Sequence, residues 1–347
     1  MRRLGVALAA ALALLLTGCA KAPQLHQREA YVFGTRVEVS VWGESAEKAA
    51  QTLAAVLAEF DRLHRLLHAW QPSELTALNA AIARGERDIA VSPELTLILQ
   101  DAADLAARSD QLFNPAIGRM VALWGFHADE FRPQLPDPAA LASVVKAAPR
   151  MSDLAFAGNR ISSRNRSVQL DLGGYAKGYA LDRAAAILRG QGVNNALVNI
   201  GGNVMALGDK GGQPWRVGIQ HPRAAAPLAT LDLRDGEAIG TSGDYQRFFE
   251  LGGRRYCHLL DPRSGRPAEG VEAVTVLITP RERAGALSDA ASKPLFIAGP
   301  GEWRALARRL GVAHALRIDA AGVMHVTAEF RERITMLSSD IRVSAEP

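Results

Sequence analysis

The sequence predicts an α+β fold, built either as one large domain or as two closely packed lobes. Amphipathic helices with clear capping signals dominate the first half of the 347-residue chain. After Leu170 the pattern changes to short β-rich runs separated by Gly, Pro, Asn and Asp turns, with two further helices near the end. Because the strands come in runs and do not alternate regularly with helices, a doubly wound parallel sheet is disfavoured.

The first residues have the pattern of a bacterial secretory signal. Arg2 and Arg3 precede an apolar run over residues 4–16 that is too short to cross a bilayer, and residues 16–19 read LTGC. This resembles a lipobox, which implies a signal peptide over residues 1–18, lipidation of Cys19 and a tether over residues 19–29. A buried N-terminal helix is the alternative, disfavoured because the run has no polar face. We therefore expect a lipid-anchored protein at the periplasmic face of a bacterial membrane, attached to the membrane through the lipid alone.

Cysteine content and charge limit the function further. With Cys19 lipidated, Cys257 is the only other cysteine, so we expect no internal disulfide and a fold held together by its core. The formal net charge is +4, and two of the positive charges, Arg2 and Arg3, leave with the signal peptide. The remaining chain is close to neutral, which gives nucleic-acid binding no electrostatic support.

Each predicted element depends on a local pattern. Alternating apolar residues from Tyr31 predict the first strand of the folded body, and Ser45 begins an amphipathic helix. Ser92 followed by proline predicts a helix to about residue 108, and Asp137 followed by proline predicts a shorter one. Later helices are predicted near residues 174–189, 286–297 and 301–310, and strands near residues 196–200, 215–220, 228–233, 254–260, 271–279 and, last, 315–318.

The run DLGGYAKGYALD at residues 171–182 places a carboxylate, two adjacent glycines and a lysine where an apolar run turns into a helix. A glycine pair there lets the backbone approach a ligand, and the unpaired N–H groups of the first helical turn attract anions such as phosphate. Lys177 adds a positive charge at the same place. Alternatively, Gly174 and Gly178 make a flat helix face for close packing, and taken alone the run favours this interpretation.

Other short stretches have the same small and polar character. Gly201, Gly202 and Asn203 end an apolar strand, and Ser242-Gly243-Asp244-Tyr245 follows another. His258 and Asp289 are further candidates, although a single histidine is more often structural than catalytic. Each signal is weak alone, and their joint order along the chain is much stronger.

This ordered set of motifs resembles the ApbE family of FAD:protein FMN transferases over nearly the whole mature chain. The matching stretches are Phe33-Gly34-Thr35, residues 73–79 (SELTALN), Phe113-Asn114-Pro115, residues 123–126 (LWGF), residues 171–182 (DLGGYAKGYALD), residues 199–203 (NIGGN), residues 241–245 (TSGDY), residues 258–267 (HLLDPRSGRP) and residues 289–299 (DAASKPLFIAG).

The resemblance implies a fold and an activity. The fold has mixed, mostly antiparallel sheets flanked by helices, with FAD in a cleft between two lobes, over residues 30–335 and followed by a tail over residues 336–347. The activity transfers FMN from FAD to a threonine hydroxyl of a client flavoprotein and releases AMP, with Mg²⁺ bridging the FAD diphosphate. Positioning and charge neutralisation are expected to supply the catalysis.

The resemblance also implies roles for individual residues. It makes Lys177, His258 and Asp289 the candidate catalytic residues, with His258 handling a proton. Mg²⁺ is expected on the Gly174 carbonyl and the Asp289 carboxylate. FAD contacts are expected at Phe33, Trp70, Leu112, Phe113, Asn114, Asp171, Gly173, Lys177, Gly201, Gly202, Asn203 and Leu260.

Client proteins implied by the resemblance are periplasmic segments of membrane flavoproteins, such as subunits of sodium-pumping quinone reductases, Rnf-type complexes or electron-transfer modules that serve nitrous oxide reduction. Two other functions remain open from the sequence. One is a Mg²⁺-dependent FAD pyrophosphatase that uses water as the acceptor. The other is a lipoprotein that binds FAD without converting it.

The late motif departs from the family pattern, in which a threonine usually follows the aspartate by four residues and faces the metal. This chain has Lys293 at that position, preceded by Ser292, and a charged lysine cannot ligate a metal. Three hypotheses follow. Lys293 swings away while Ser292 and waters complete the Mg²⁺ site; or its ammonium lies near the metal position, pairs with Asp289 and neutralises the diphosphate; or it makes a surface pair with Asp289 that has no function.

Overall fold

The computed structural model describes residues 24–127 and 133–344. The predicted signal peptide and Cys19 lie outside the described residues. The helices are α1 (Ala46–Leu67), α2 (Glu74–Arg84), α3 (Pro93–Arg108), α4 (Gly118–Leu123), α5 (Pro138–Ala147), α6 (Ala176–Gly190), α7 (Ala284–Ile297), α8 (Trp303–Leu310) and α9 (Ala328–Arg331), with a 3₁₀ turn at Met151–Asp153.

Nineteen strands are assigned in the described part of the chain. They are β1 (Leu25–Val32), β2 (Thr35–Trp42), β3 (Ile89–Ala90), β4 (Leu154–Ala157), β5 (Arg160–Ser163), β6 (Ala196–Ile200), β7 (Asn203–Leu207), β8 (Trp215–Gln220), β9 (Pro227–Leu233), β10 (Ala238–Gly243), β11 (Phe248–Leu251), β12 (Arg254–Cys257), β13 (Leu260–Asp261), β14 (Arg266–Pro267), β15 (Val271–Ile278), β16 (His314–Asp319), β17 (Val323–Val326), β18 (Ile334–Met336) and β19 (Arg342–Val343).

A nine-stranded sheet organises the molecule, in the order β1-β2-β6-β7-β10-β15-β16-β17-β19. Each neighbouring pair is antiparallel except β17 and β19. The prediction of a mixed, mostly antiparallel α+β fold is therefore confirmed. The sheet is hydrogen-bonded from one edge to the other, so the two expected lobes share one continuous framework.

The two faces of this sheet have separate hydrophobic cores. On β15, Val274 and Val276 belong to the larger core, which includes the buried faces of α1, α6 and α7. Ala273 and Leu277 on the same strand point to the other face, where the small sheet β18-β9-β8 packs. Successive side chains of a strand point to opposite faces, so one strand serves both layers. β15 is buried along its whole length, in agreement with its continuous apolar sequence.

Helix α7 lies in the larger core, and its N-terminus is capped by a side chain of another helix. Arg283, the N-cap residue just before α7, provides no side-chain cap. Instead, Asp182 of α6 accepts hydrogen bonds from the N–H groups of Gly285 and Ala286, both at 2.8 Å. Burial raises the pKa of Asp182 to about 6, although these two N–H donors act in the opposite direction. The cap fixes α7 relative to α6, and both helices contribute to the site described below.

The predicted boundaries of the folded body are too narrow. Strand β1 begins at Leu25, inside the predicted tether, and pairs with β2 from Leu25 to Val32. The predicted C-terminal tail contains Met336 of β18 and all of β19. The predicted last strand, β16, is followed by three more strands. Among the described residues, no helix is long and apolar enough to span a membrane.

Candidate active site

A cleft of about 790 Å³ collects most of the residues singled out in the sequence. It lies between the β1–β2 turn, the end of α1, the loop before α4, the start of α6 and the turns that follow β6 and β12. Its lining includes Phe33, Trp70, Leu112, Phe113, Asn114, Asp171, Gly173, Gly174, Lys177, Gly201, His258, Leu260 and Lys293. This volume suits a large cofactor.

The backbone around Asp171 is fixed by two motifs distant in sequence. Asn79 of α2 pairs with both backbone groups of Leu170, its Oδ1 accepting from the N–H at 2.7 Å and its Nδ2 donating to the carbonyl at 2.9 Å. The N–H of Asp171 donates to the Pro115 carbonyl at 2.8 Å. The backbone just before the glycine turn is therefore fixed to α2 and to the loop before α4, and the turn extends from it into the cleft.

The turn itself leads into α6 with little side-chain capping. The N–H of Gly173 donates to Asp171 Oδ1 at 2.8 Å, and α6 begins at Ala176 without a side-chain cap. Lys177 in the first turn donates to the Gly173 carbonyl at 3.1 Å. A helix N-terminus with a neighbouring ammonium is suited to an anion.

Opposing influences act on the pKa of the Asp171 carboxyl group. Burial raises the pKa of its carboxyl group, against the opposing influence of the Gly173 N–H and of the positive charges on Arg247 and Lys177. Its carboxylate orients the glycine turn and lies beside the cationic groups of the cleft.

The two glycines four residues apart serve different purposes. A Cβ on Gly178 would lie 2.2 Å from the Gly285 carbonyl oxygen of α7, so this glycine allows the helices to pack closely. A Cβ on Gly174 would meet only ordinary contacts, at 3.4 Å from Lys293 Cε and 3.7 Å from the Phe113 ring. The packing interpretation of the glycines holds for Gly178, and Gly174 borders the cleft.

Asp289 is completely buried beneath two lysines. Its Oδ2 accepts a hydrogen bond from the Gly178 N–H at 3.0 Å, and its Oδ1 is bonded to Lys293 Nζ and lies 3.9 Å from Lys177 Nζ. Burial alone would raise the pKa of this carboxyl group. The positive charges of Lys177 and Lys293 outweigh burial and hold that pKa at about 2.

Lys293 reaches back from α7 into the site. Its Nζ also donates to the Asp289 carbonyl at 2.7 Å, and its side chain is 14% exposed. Burial and the neighbouring Lys177 lower its pKa to about 8, with Asp289 acting in the opposite direction. The hypothesis of a surface pair without a place in the site is therefore wrong, because Lys293 lines the cleft beside Gly174.

His258 lines the cleft in a defined tautomer. Its Nδ1 lies 3.1 Å from the Arg247 carbonyl oxygen, which can only accept, so Nδ1 carries the proton and Nε2 is the basic nitrogen. Burial and the positive charges of Arg247 and Lys177 lower the pKa of this imidazole to about 3. At neutral pH the ring is uncharged and able to accept a proton.

Apolar and aromatic side chains line a further part of the cleft. Phe33 sits in the tight β1–β2 turn with a φ of 56° and makes an edge contact with His64 at 5.7 Å between centroids. Trp70 lies 5.2 Å from His127. With Leu112, Phe113 and Leu260 these rings provide flat apolar surfaces, which suit the ring systems at the two ends of a dinucleotide.

Comparison with known proteins identifies the family. The sequence profile of the ApbE family matches residues 33–316. The chain belongs to the ApbE family. It is 45% identical over 337 residues to an FAD:protein FMN transferase of Rhodobacter capsulatus, a match that covers 96% of this chain and 63% of that relative. The chain thus spans slightly less than two thirds of that relative's length.

Two further comparisons cover nearly the full length of the matched proteins. An FAD:protein FMN transferase of Treponema pallidum is 33% identical over 345 residues, with 90% of each chain covered. The crystal structure of the ApbE protein of Thermotoga maritima superposes with a TM-score of 0.80 at 29% identity, covering 89% of this chain and 99% of that one. The ApbE-like fold predicted from the motifs is confirmed.

The side chains do not fit a Mg²⁺ ion in the way the ApbE resemblance implies. The Ser292 hydroxyl is buried, donates to the Asp289 carbonyl at 2.8 Å and lies 2.7 Å from the Ser242 hydroxyl. It is therefore engaged in the core and does not line the cleft. Asp289 already has Lys293 on Oδ1. Within residues 24–127 and 133–344, no group of three His, Cys, Asp or Glu side chains could hold a metal ion.

Two predicted FAD contacts lie outside the cleft, and a third lines it with its side chain already engaged. Gly202 is exposed outside the cleft, and Asn203 is buried away from it. Asn114 borders the cleft, but its side chain donates to the Pro149 carbonyl at 2.9 Å and accepts from the Ala116 N–H at 3.1 Å. Its role is therefore to shape the loop that carries Phe113.

The sequence prediction missed Arg247, His64 and Gln246, which also line the cleft. Arg247 comes two residues after the TSGDY stretch, and its carbonyl orients His258. His64 lies on the apolar stripe side of α1, where it reads as part of an amphipathic helix. Only the antiparallel pairing of β11 with β12 places Arg247 beside His258, and this pairing has no local sequence signature.

Proposed function

We propose that this protein is an FAD:protein FMN transferase, which moves FMN from FAD to a threonine hydroxyl of a client flavoprotein and releases AMP. One observation carries the proposal: in a member of the ApbE family, two lysine ammonium groups meet at a glycine turn before a helix, inside a cleft large enough for a dinucleotide. The names of the relatives support the same activity.

The reaction balances without a redox partner. The threonine oxygen attacks the phosphorus of the FMN half, a phosphoester bond forms, and the diphosphate P–O bond to the AMP phosphate breaks. The threonine proton passes to a base, and the negative charge that develops on the phosphoryl oxygens and on AMP requires cationic groups nearby.

Named residues of the cleft are suited to each task. Lys177 and the glycine turn before α6 bind the diphosphate, because they combine a positive charge with a backbone that borders the cleft. Nε2 of His258 accepts the threonine proton, since the ring is held neutral. The aromatic and apolar lining near Phe33, Trp70 and Leu260 binds the ring systems of FAD.

Magnesium does not enter this proposed chemistry. The resemblance implies Mg²⁺ on the Gly174 carbonyl, the Asp289 carboxylate and a hydroxyl. In this chain Lys293 is hydrogen-bonded to the Asp289 carboxylate, and the Ser292 hydroxyl donates to the Asp289 carbonyl within the core. We assign the neutralisation of the negative charge on the diphosphate to lysine side chains of the cleft.

The proposed location is the periplasmic face of a bacterial membrane, with Cys19 as the lipid-bearing residue. The basic and apolar residues before LTGC support it. The proposed clients are periplasmic segments of membrane flavoproteins in quinone-reductase, Rnf-type or nitrous-oxide-reduction electron transfer.

The test is incubation of the chain from Gln24 with FAD and a client domain that carries a candidate threonine. The expected products are AMP and FMN-modified client in a one-to-one ratio, measured by chromatography and intact mass. AMP with free FMN and an unmodified client would instead establish a pyrophosphatase. Unchanged FAD bound to the protein would establish a flavin-holding lipoprotein and overturn both enzyme functions.

A further inference from the structure

We propose that the Lys293 ammonium takes the place of a metal ion in this cleft, so that Lys177 and Lys293 together bind the FAD diphosphate without a divalent cation. This inference rests on the proposed function, because it concerns how the same cleft binds its substrate. It assigns Lys293 of α7 to diphosphate binding, at the position where the family pattern has a metal-facing threonine.

The first support is the position of the ammonium. Lys293 Nζ is bonded to Oδ1 of Asp289 and to the Asp289 carbonyl at 2.7 Å. Both acceptors belong to one residue, so the side chain curls back along α7 instead of extending into solvent. Its Cε lies 3.4 Å from the point where a Cβ of Gly174 would be. The positive charge therefore lies between Asp289 and the glycine turn, which is the expected place of the metal.

The second support is the engagement of both side chains that were expected to ligate the metal, Asp289 and Ser292. Oδ2 of Asp289 accepts from the Gly178 N–H at 3.0 Å, and the Ser292 hydroxyl is held by Ser242 and by the helix backbone. A divalent cation at this place would have to displace the ammonium from Oδ1 or sit against it. Like charges at contact distance are unfavourable, and more so where burial reduces solvent screening.

The third support is the charge balance. Lys177 and Lys293 share one carboxylate, Asp289, and leave one net positive charge facing the cleft. Lys177 Nζ lies 3.9 Å from Oδ1 of Asp289, and the Gly178 N–H donates to Oδ2 of the same carboxylate. Lys293 is held by Asp289 and Lys177 by the Gly173 carbonyl at 3.1 Å, so both ammonium groups lie at the glycine turn, where they can meet a group with two adjacent phosphates.

The decisive experiment measures FAD affinity of the wild-type chain, by isothermal titration, in EDTA and in millimolar Mg²⁺. We expect the two dissociation constants to agree within about twofold, a difference well below the 1.4 kcal/mol that a tenfold change represents. The FMN-transfer rate is expected to be equally insensitive. An affinity or a rate that rises about tenfold or more with Mg²⁺ would overturn the inference.

Variants locate the effect. Lys293→Thr restores the residue that the family pattern has, and we expect it to bind FAD about tenfold more weakly in EDTA and to recover affinity when Mg²⁺ is added. Lys293→Arg keeps the charge and should remain independent of Mg²⁺. Lys146→Thr, on the exposed end of α5, is the matched control and should behave as the wild type. A Lys293→Thr variant that binds FAD like the wild type in EDTA would contradict the proposal.

The outcomes separate this inference from the proposed function. FMN transfer that requires Mg²⁺ in the wild type would leave the transferase in place and remove only the role of Lys293. FAD that binds without Mg²⁺ and is never transferred would support the lysine site and remove the transferase. If Lys293→Thr does not fold, as judged by circular dichroism, the wild-type comparison still decides the question.

Discussion

At the scale of single residues, the position of a hydrogen decides what His258 can do. The Arg247 carbonyl can only accept, so it fixes the proton on Nδ1 and leaves Nε2 basic. Burial, together with the positive charge of Arg247, lowers the pKa of the ring and keeps it neutral. The sequence indicates His258 as a candidate only through the ordered motifs, because a single histidine before an Asp-Pro turn does not by itself indicate a catalytic role. Its tautomer depends on Arg247, which directly precedes β11, whereas His258 directly follows β12.

His258 yields a pH prediction. A histidine is basic above its pKa, so a pKa lowered to about 3 extends the reactive form well into the acidic range. We expect the single-turnover transfer rate to change less than about twofold between pH 7 and pH 5, a range that lies below the Lys293 pKa of about 8. A histidine with an ordinary pKa of about 6.5 would lose roughly 25-fold of its neutral form over the same range.

NMR of the free protein checks the cause directly. The His258 ring resonances should not shift between pH 8 and pH 5, and His258→Asn should lower the transfer rate by about 100-fold. A titration midpoint near 6.5, with a parallel loss of rate, would contradict the assigned role.

At the scale of elements, the site depends on how closely α6 approaches α7. Gly178 and Gly285 face each other, and the carbonyl of each lies where a Cβ of the other would be. This contact brings the Gly178 N–H to Asp289 and so places both lysines over one carboxylate. The sequence predicts both helices and shows Gly174 and Gly178 four residues apart. It does not show which glycine packs and which borders the cleft, because this depends on the angle between two helices that are distant in sequence.

The two glycines are expected to respond differently to the same change. Gly178→Ala forces a Cβ to within 2.2 Å of a backbone oxygen, and we expect it to lower the free energy of unfolding by about 3 kcal/mol. Gly174→Ala meets only ordinary contacts and should cost less than about 1 kcal/mol, as expected for alanine in an accommodating place. Urea denaturation measures both. Equal losses of stability would contradict the distinction.

At the scale of the whole molecule, one antiparallel sheet joins the N-terminal hairpin to the C-terminal strands. The residues of β1 are mostly exposed and polar, because β1 is an edge strand that packs little of itself into the core. For this reason its sequence looks like a tether and the start of the body was predicted too late. The internal strand β6 is predicted with its observed bounds, since its apolar residues are mostly buried.

Removal of β1 tests its contribution. A chain that starts at Phe33 lacks the strand that pairs with β2 along its whole length and leaves the next edge, with its unpaired N–H and C=O groups, open. We expect its melting temperature to fall by at least about 5 °C and its tendency to aggregate to rise. A chain that starts at Gln24 keeps β1 and is the control. Equal melting temperatures would show that β1 contributes nothing to stability.

In the proposed function, this cleft transfers FMN from FAD with its own lysines in place of a metal ion. The intact mass of a threonine-bearing client domain, after incubation with the wild-type protein and FAD in excess EDTA, tests this. We expect a client heavier by one FMN joined through a phosphoester, with one AMP released for each modified client. A client that remains unmodified in EDTA and gains FMN only when Mg²⁺ is supplied would contradict it.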